Sequence, residues 1–240
     1  MGSTYKYIIS LLLLNNIIYV GAQEKKESSE LTKTPLLNGI TVQADLASVV
    51  SSILSKGETY STEGSVQFDI KQKYYPIVEL GFGGAYKLSV DNIDFKANGL
   101  FGRIGVDINL LKQKKDAKAS NNLFLAGARV GVTNLRYDIT NISITDNYWG
   151  GTEILNFTDR PATKVWFEIV AGVRVKVFKN IFMGWTVRNK NLLNQDKEGE
   201  ISSWYIPGFG INVSSNWGFN YTFGYRFNTS KNKIKENNKL

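Results

Sequence analysis

The stretch that most constrains the fold runs from Val165 to Trp185, VWFEIVAGVRVKVFKNIFMGW. One register of its first arm is apolar without a break: Val165, Phe167, Ile169, Ala171, Val173, Val175 and Val177. The other begins at Trp166 and carries Glu168, Gly172, Arg174 and Lys176. Period-two alternation of this length gives a strand one oily face and one wet face. Lys179-Asn180 turns the chain, and a second arm sets Met183, Trp185 and Val187 against Gly184, Thr186, Arg188 and Lys190. Strands of soluble proteins average about 5–6 residues, whereas a tilted strand crossing a membrane needs about 9–11. These arms are of the second kind.

The chain of 240 residues suits a single domain. It has no Cys, which excludes disulfides and thiolate metal sites. It also has no His, and so lacks the commonest general base and the commonest metal ligand. The formal net charge of +8 comes with no nucleic-acid motif, so nucleic acid is not an expected partner.

Lys6 followed by the apolar run Ile8–Val20, then Val20-Gly21-Ala22, reads as a signal peptide over residues 1–22, cleaved near Ala22. The run is short and broken by Asn15 and Asn16, unlike a spanning helix. Residues 23–38 are a polar, disordered lead-in, 39–227 a barrel, and 228–240 a basic disordered tail. With no later helical span, any membrane crossing must be made by strands.

Alternation predicts strands over Gly39–Leu46, Thr62–Ile70, Ile77–Tyr86, a segment ending at Leu111, Asn122 to about Tyr137, the two arms above, and Trp217–Phe227. Ala47–Ser61 is Ser-rich and holds a short apolar group suited to a helical turn. A loop is expected near Lys87–Lys96, and long loops over Asp138–Ala162 and from about Asn191. Trp204–Val213 resembles a strand, but Pro207-Gly208 breaks the ladder. A ninth crossing would also violate the even count of bacterial barrels. It is therefore assigned to the loop or to strand extensions above the membrane. The fold expected is all-β: an eight-stranded antiparallel up-and-down transmembrane β-barrel. The short connections carry lysines (Lys71, Lys73, Lys112, Lys114, Lys115, Lys118, Lys179), as does the tail, while the long loops carry acids such as Glu58, Glu63, Asp94, Asp138, Asp159 and Asp196. Short basic turns on one side and long loops on the other fit an outer membrane with the turns in the periplasm.

The inward register would hold Asp45, Asp69, Glu79, Arg103, Asp107, Arg129, Glu168, Arg174, Lys176, Arg188 and Lys190. Eight strands enclose only enough room for side chains, and an unpaired buried charge is costly. A lumen charge network is the expected result. A narrow channel or small-ligand-binding barrel is the alternative. A soluble lipocalin-like barrel would reverse the inside and outside patterns. Tyr74, Tyr75, Trp166, Phe178, Phe182, Trp185, Trp217, Tyr225 and Phe227 are read as interfacial belts and lipid-facing packing. Tyr148, Trp149, Trp204 and Tyr205 fall in loops, where they either mark a partner surface or fold over the barrel mouth. No nucleophile–base constellation is visible, and no catalytic residue, cofactor or metal site is predicted. The partners expected are outer-membrane lipid and an envelope protein, for a non-catalytic structural or accessory role.

Several strings also carry a family resemblance: NGITVQADL, KYYPIVELGFG, FGRIGVDINLL, DNYWG, EIVAGVRVKVFKNIFMGWTVR and WYIPGFG. They resemble the uncharacterised domain-of-unknown-function family DUF6048 of Bacteroidetes secreted proteins, over about Leu37 to Phe227. The resemblance implies a Gram-negative outer-membrane barrel and supplies no catalytic residues to carry over. Barrel-folding signals usually end in a C-terminal aromatic, whereas here Tyr225-Arg226-Phe227 is followed by the basic tail.

Overall fold

A computed structural model describes residues 36–89, 92–111, 122–145, 148, 150–197 and 199–229. The signal segment, most of the polar lead-in, the basic turn at 112–121, Trp149 and the tail from residue 230 lie outside the described residues.

Eight long strands close into a ring: β1 (Leu37–Asp45), β2 (Thr59–Ile70), β3 (Tyr74–Leu88), β4 (Asp94–Asn109), β5 (Asn122–Thr145), β6 (Thr152–Phe178), β7 (Ile181–Leu192) and β10 (Ser215–Asn228). Each is antiparallel to its neighbours, and β1 closes on β10 through Gly39↔Asn228 to Asp45↔Thr222. A helix, α1 (Ala47–Leu54), follows β1, and a two-residue hairpin, β8 (Tyr205–Ile206) with β9 (Gly210–Ile211), stands apart from the ring. One end of the barrel carries the short turns and the other the loops. They are called the turn end and the loop end below.

The period-two pattern sorts side chains inside out relative to a soluble protein. On the outer face Leu80 is 68% exposed and Leu100 69%. In the inner register Glu79 is 2% exposed and Glu168 0%. Leu100 to Leu110 along and just past β4 spans ten residue rises, or about 33 Å, and a tilt near 40° projects that to about 25 Å. That is the height of the apolar band on a membrane barrel. The fold is the transmembrane type of eight-stranded barrel, with the charges inside.

The same parity rule revises two readings of the sequence. Tyr75, Trp166 and Phe182 are buried in the lumen rather than set in the outer belts. Each shares its register with an inward charge: Tyr75 with Glu79, Trp166 with Glu168, Phe182 with Arg188. The expected long loop at Asp138–Ala162 is instead mostly strand. β4 pairs β5 only as far as Thr140, and β7 pairs β6 only as far as Trp166. Beyond these points β5 and β6 continue against each other to Thr145↔Thr152, forming a two-stranded ribbon. Its ladder is interrupted between Tyr137 and Ile142, near the left-handed residues Asn141 and Asp159. A ribbon with both faces in water has no reason to alternate, so hydrophobic periodicity does not report it.

Candidate functional site

The lumen charges come together through register. Glu79 on β3 lies directly opposite Arg103 on β4, Arg129 on β5 opposite Glu168 on β6, and Glu168 in turn opposite Lys190 on β7. Across the barrel the contacts multiply. Arg103 reaches Glu63 at 2.6 Å, Glu79 at 3.1 Å and Glu168 at 2.9 Å. Arg188 reaches Glu79 at 2.7 Å, and Glu63 and Glu168 at 3.3 Å. Arg129 pairs with Glu79 and, at 3.1 Å, with Asp107. The Gln67 amide donates to Asp107 at 2.8 Å, and the Trp166 indole N–H donates to Glu168 at 2.7 Å. Four carboxylates thus face three guanidiniums and the Lys190 ammonium, and nearly every oxygen is engaged. Glycines make the room: a Cβ on Gly127 would stand 2.2 Å from an Asp107 oxygen, and one on Gly131 2.3 Å from the Trp166 ring.

The remaining predicted lumen charges stand apart from this network. Asp69 binds Arg226 at 2.6 Å near the turn end. The Asp45 carboxylate accepts from the backbone N–H groups of Ala47, Ser48 and Tyr221 and from the Asn220 amide, tying the start of α1 to β10. Arg174 donates to Gln43 at 3.2 Å and has no carboxylate within salt-bridge distance among the described residues. Lys176 is exposed. Glu63, assigned by sequence to the outer loops, is a network member. Its odd position on β2, shared with Gln67 and Asp69, already marks it as inward. Arg226 lies in the wet register of β10 and could have been found in the same way.

The connection between β7 and β10 caps this network. Tyr205–Ile211 folds into the loop end of the barrel as the β8–β9 hairpin. Its turn has Pro207 at the second position and Gly208, with φ +80°, at the third. The Phe209 N–H donates to the Ile206 carbonyl at 3.0 Å, which together meets the requirements of a type II turn. Gly208 is needed twice over, because a Cβ there would also lie 2.6 Å from the Phe101 ring. Ile206 and Phe209 are buried with Phe101, Leu135, Trp166 and Leu192 in the main apolar cluster. Arg103 donates to the Gly208 carbonyl at 2.7 Å, and Lys190 donates to the Gly208 and Phe209 carbonyls at 2.8 and 3.1 Å. The hairpin tip is therefore a neutral acceptor for cations of the network.

Above the hairpin, Lys164 pairs with Asp196, whose other oxygen accepts from Asn212 at 2.8 Å. Burial pushes the Asp196 carboxyl up. Hydrogen bonds from Lys164, Asn212 and Ser202, with the Lys164 charge, outweigh it and hold the group below its ordinary value. Trp204 packs edge-on against Phe95 at 5.7 Å, with the Lys87 ammonium 4.6 Å from its ring centre, and Tyr205 is half-buried beside it. Tyr148, at the ribbon tip, is 83% exposed.

A cavity of about 30 Å³ borders the network, lined by Glu63, Glu79, Asp107, Arg129 and Arg188 together with Gln43, Asp45, Arg174, Thr186 and Thr222, among others. That is room for roughly two waters. Every carboxylate of the network is engaged by at least two donors.

These features define a plugged, inside-out eight-stranded barrel. The profile of DUF6048, a domain of unknown function, matches residues 4–231, and the chain belongs to that family. No curated protein matches it in sequence. Among solved structures it is similar to Neisserial surface protein A, at 15% identity and a TM-score of 0.38, over 80% of this chain and 95% of that one. It is also similar to Ail of Yersinia pestis, at 9% identity and 0.39, over 80% and 98% of the two chains. The N-terminal β-barrel domain of Pseudomonas aeruginosa OprF gives 11% and 0.30, over 79% and 98%.

Proposed function

We propose that this protein is a non-catalytic outer-membrane barrel, exported with removal of the segment ending near Ala22. In this reading it is a closed structural or accessory element of the envelope that displays its ribbon and rim loops at the surface. The observation that carries the reading is the filled lumen: a balanced charge layer spans it, and the β8–β9 hairpin is bonded onto that layer through Arg103 and Lys190. A solute path would have to break both. The projecting β5–β6 ribbon with exposed Tyr148 is the surface offered to an envelope partner.

The test is conductance in a planar bilayer, using protein refolded in detergent and checked by its mobility shift between boiled and unboiled samples. Wild type should insert without discrete conducting steps. The Gly208→Val variant, which cannot keep the turn or its packing on Phe101, should flicker or conduct. Steady steps from the wild type would overturn the closed-barrel reading in favour of a narrow channel.

A further inference from the structure

Helix α1 is turned the wrong way round for a helix in water. Its serines and its apolar residues occupy opposite faces at 100° per residue. The serine face is the one that meets the barrel. Ser48 and Ser52 are half-buried, Ser52 accepts from the Ser61 N–H on β2 at 3.3 Å, and Ser55 donates to the Thr59 carbonyl at 3.0 Å. The apolar face points away from the protein: Val49 and Val50 are about half exposed, Ile53 is 73% exposed and Leu54 78%. A surface helix of a soluble protein buries that stripe instead.

The orientation is enforced at both ends. The Asp45 carboxylate accepts the first N–H groups of the helix and also binds β10, so the helix cannot roll about its axis. At the far end Lys56 and Gly57 take left-handed backbone, and the Lys56 and Gly57 N–H groups close on the Ile53 and Ser52 carbonyls. The exposed stripe also continues an existing surface. Val42 in the outward register of β1 and Leu46 just past its end are exposed and lead into it, and Tyr60 and Trp217 are exposed on the neighbouring strands at the same end. Those strands are the ones α1 packs against.

We infer that α1 is a membrane foot: an amphipathic helix lying at the loop-end rim with Val49, Val50, Ile53 and Leu54 inserted among the acyl chains of the outer leaflet. The partner class is lipid, because the stripe is continuous with the lipid-facing band and carries no charge. Lys56, just past the helix, sits where an ammonium would meet lipid phosphate. The foot widens the apolar footprint of the barrel on the β1–β2–β10 side only and fixes its tilt there. This inference rests on the membrane-barrel reading above.

The chain has no cysteine, so single reporters can be placed without background. Ile53→Cys, Leu54→Cys, Ser51→Cys and Leu80→Cys would each be labelled with a polarity-sensitive fluorophore. The labelled proteins would be refolded into phosphatidylcholine vesicles with and without spin-labelled lipid. Leu80, on the outer band, should be blue-shifted and quenched by the lipid label. Positions 53 and 54 should match it, while position 51 stays in water and unquenched. Water-like, unquenched emission at 53 and 54 beside a lipid-like Leu80 overturns the foot alone. A shielded but unquenched signal that fades on dilution assigns the stripe to a second copy of the chain and overturns it equally. Water-like emission at Leu80 overturns the membrane reading and the foot with it. Val49→Cys replaces either helix variant that fails the heat-mobility check.

Discussion

The two halves of the lumen solve the same problem differently. Toward the loop end, charges are shared: Glu79 alone serves Arg103, Arg129 and Arg188. Toward the turn end they are rationed. Asp69 and Arg226 form one pair, Tyr75, Leu123 and Leu125 make a small apolar cluster, and Arg174 has only the Gln43 amide among the described residues. The shared half carries the hairpin, and the small cavity lies between the halves, lined by Glu79 and Arg188 as well as by Arg174. Sharing makes each ion indispensable to several others, so rigidity is concentrated where the lumen is closed. Rationing leaves in Arg174 a group whose removal strands little.

The largest effect is therefore expected at Glu79. Glu79→Ala leaves three guanidiniums short of a carboxylate in a buried site. Removing one partner of a buried ion pair costs about 3–5 kcal/mol. Urea unfolding of the refolded barrel, followed by loss of the heat-dependent mobility shift, should move by that amount. A cost below about 1 kcal/mol, the range of exposed pairs, would mean the shared network is not what stiffens the loop-end half.

At Arg174 the sign should change. Arg174→Met removes a buried cation that lacks a carboxylate partner and replaces it with apolar volume. Substitutions of buried ions by packed apolar residues are commonly neutral or stabilising, here by roughly 1 kcal/mol. Asp107 keeps Arg129 and Gln67, so no acid is stranded. The same urea measurement reads it, and a loss as large as that of Glu79→Ala would erase the distinction between the halves.

How much of this was legible follows from what periodicity can report. The alternation from Val165 to Val177 and from Trp217 to Phe227 carried the barrel and the side on which most of its charges fall, because lipid and lumen are opposite environments. Glu63 was missed only because an acid near a strand end was counted with the loops. Trp166, Tyr75 and Phe182 were misread because aromatic identity was given more weight than parity. The ribbon was not legible, since its two faces meet the same solvent. Nor was the seating of Trp204–Ile211 in the barrel. Pro207-Gly208 announces a turn, but the depth to which it is inserted depends on Gly208 meeting Phe101 and on two cations from β4 and β7, contacts distant in sequence.

The smallest effect tests the seam between the hairpin and the wall. Asp196 holds the loop by bonding Lys164 on β6 and Asn212 just past the hairpin. Its folded-state carboxyl lies below the ordinary value of 3.8. A depressed carboxyl contributes fully above its unfolded value, and the contribution is lost as pH falls through the folded one. The Lys164–Asp196 latch should thus be intact at neutral pH and release only in acid below that ordinary value. Hydrogen exchange over residues 193–214 should be faster in Asp196→Asn than in wild type at neutral pH, and the gap should close on acidification past that point. A gap that persists at the lowest pH would show that the Asn212 and Lys164 contacts do not depend on the charge. The closure of the loop end would then rest on the hairpin and the charge layer beneath it.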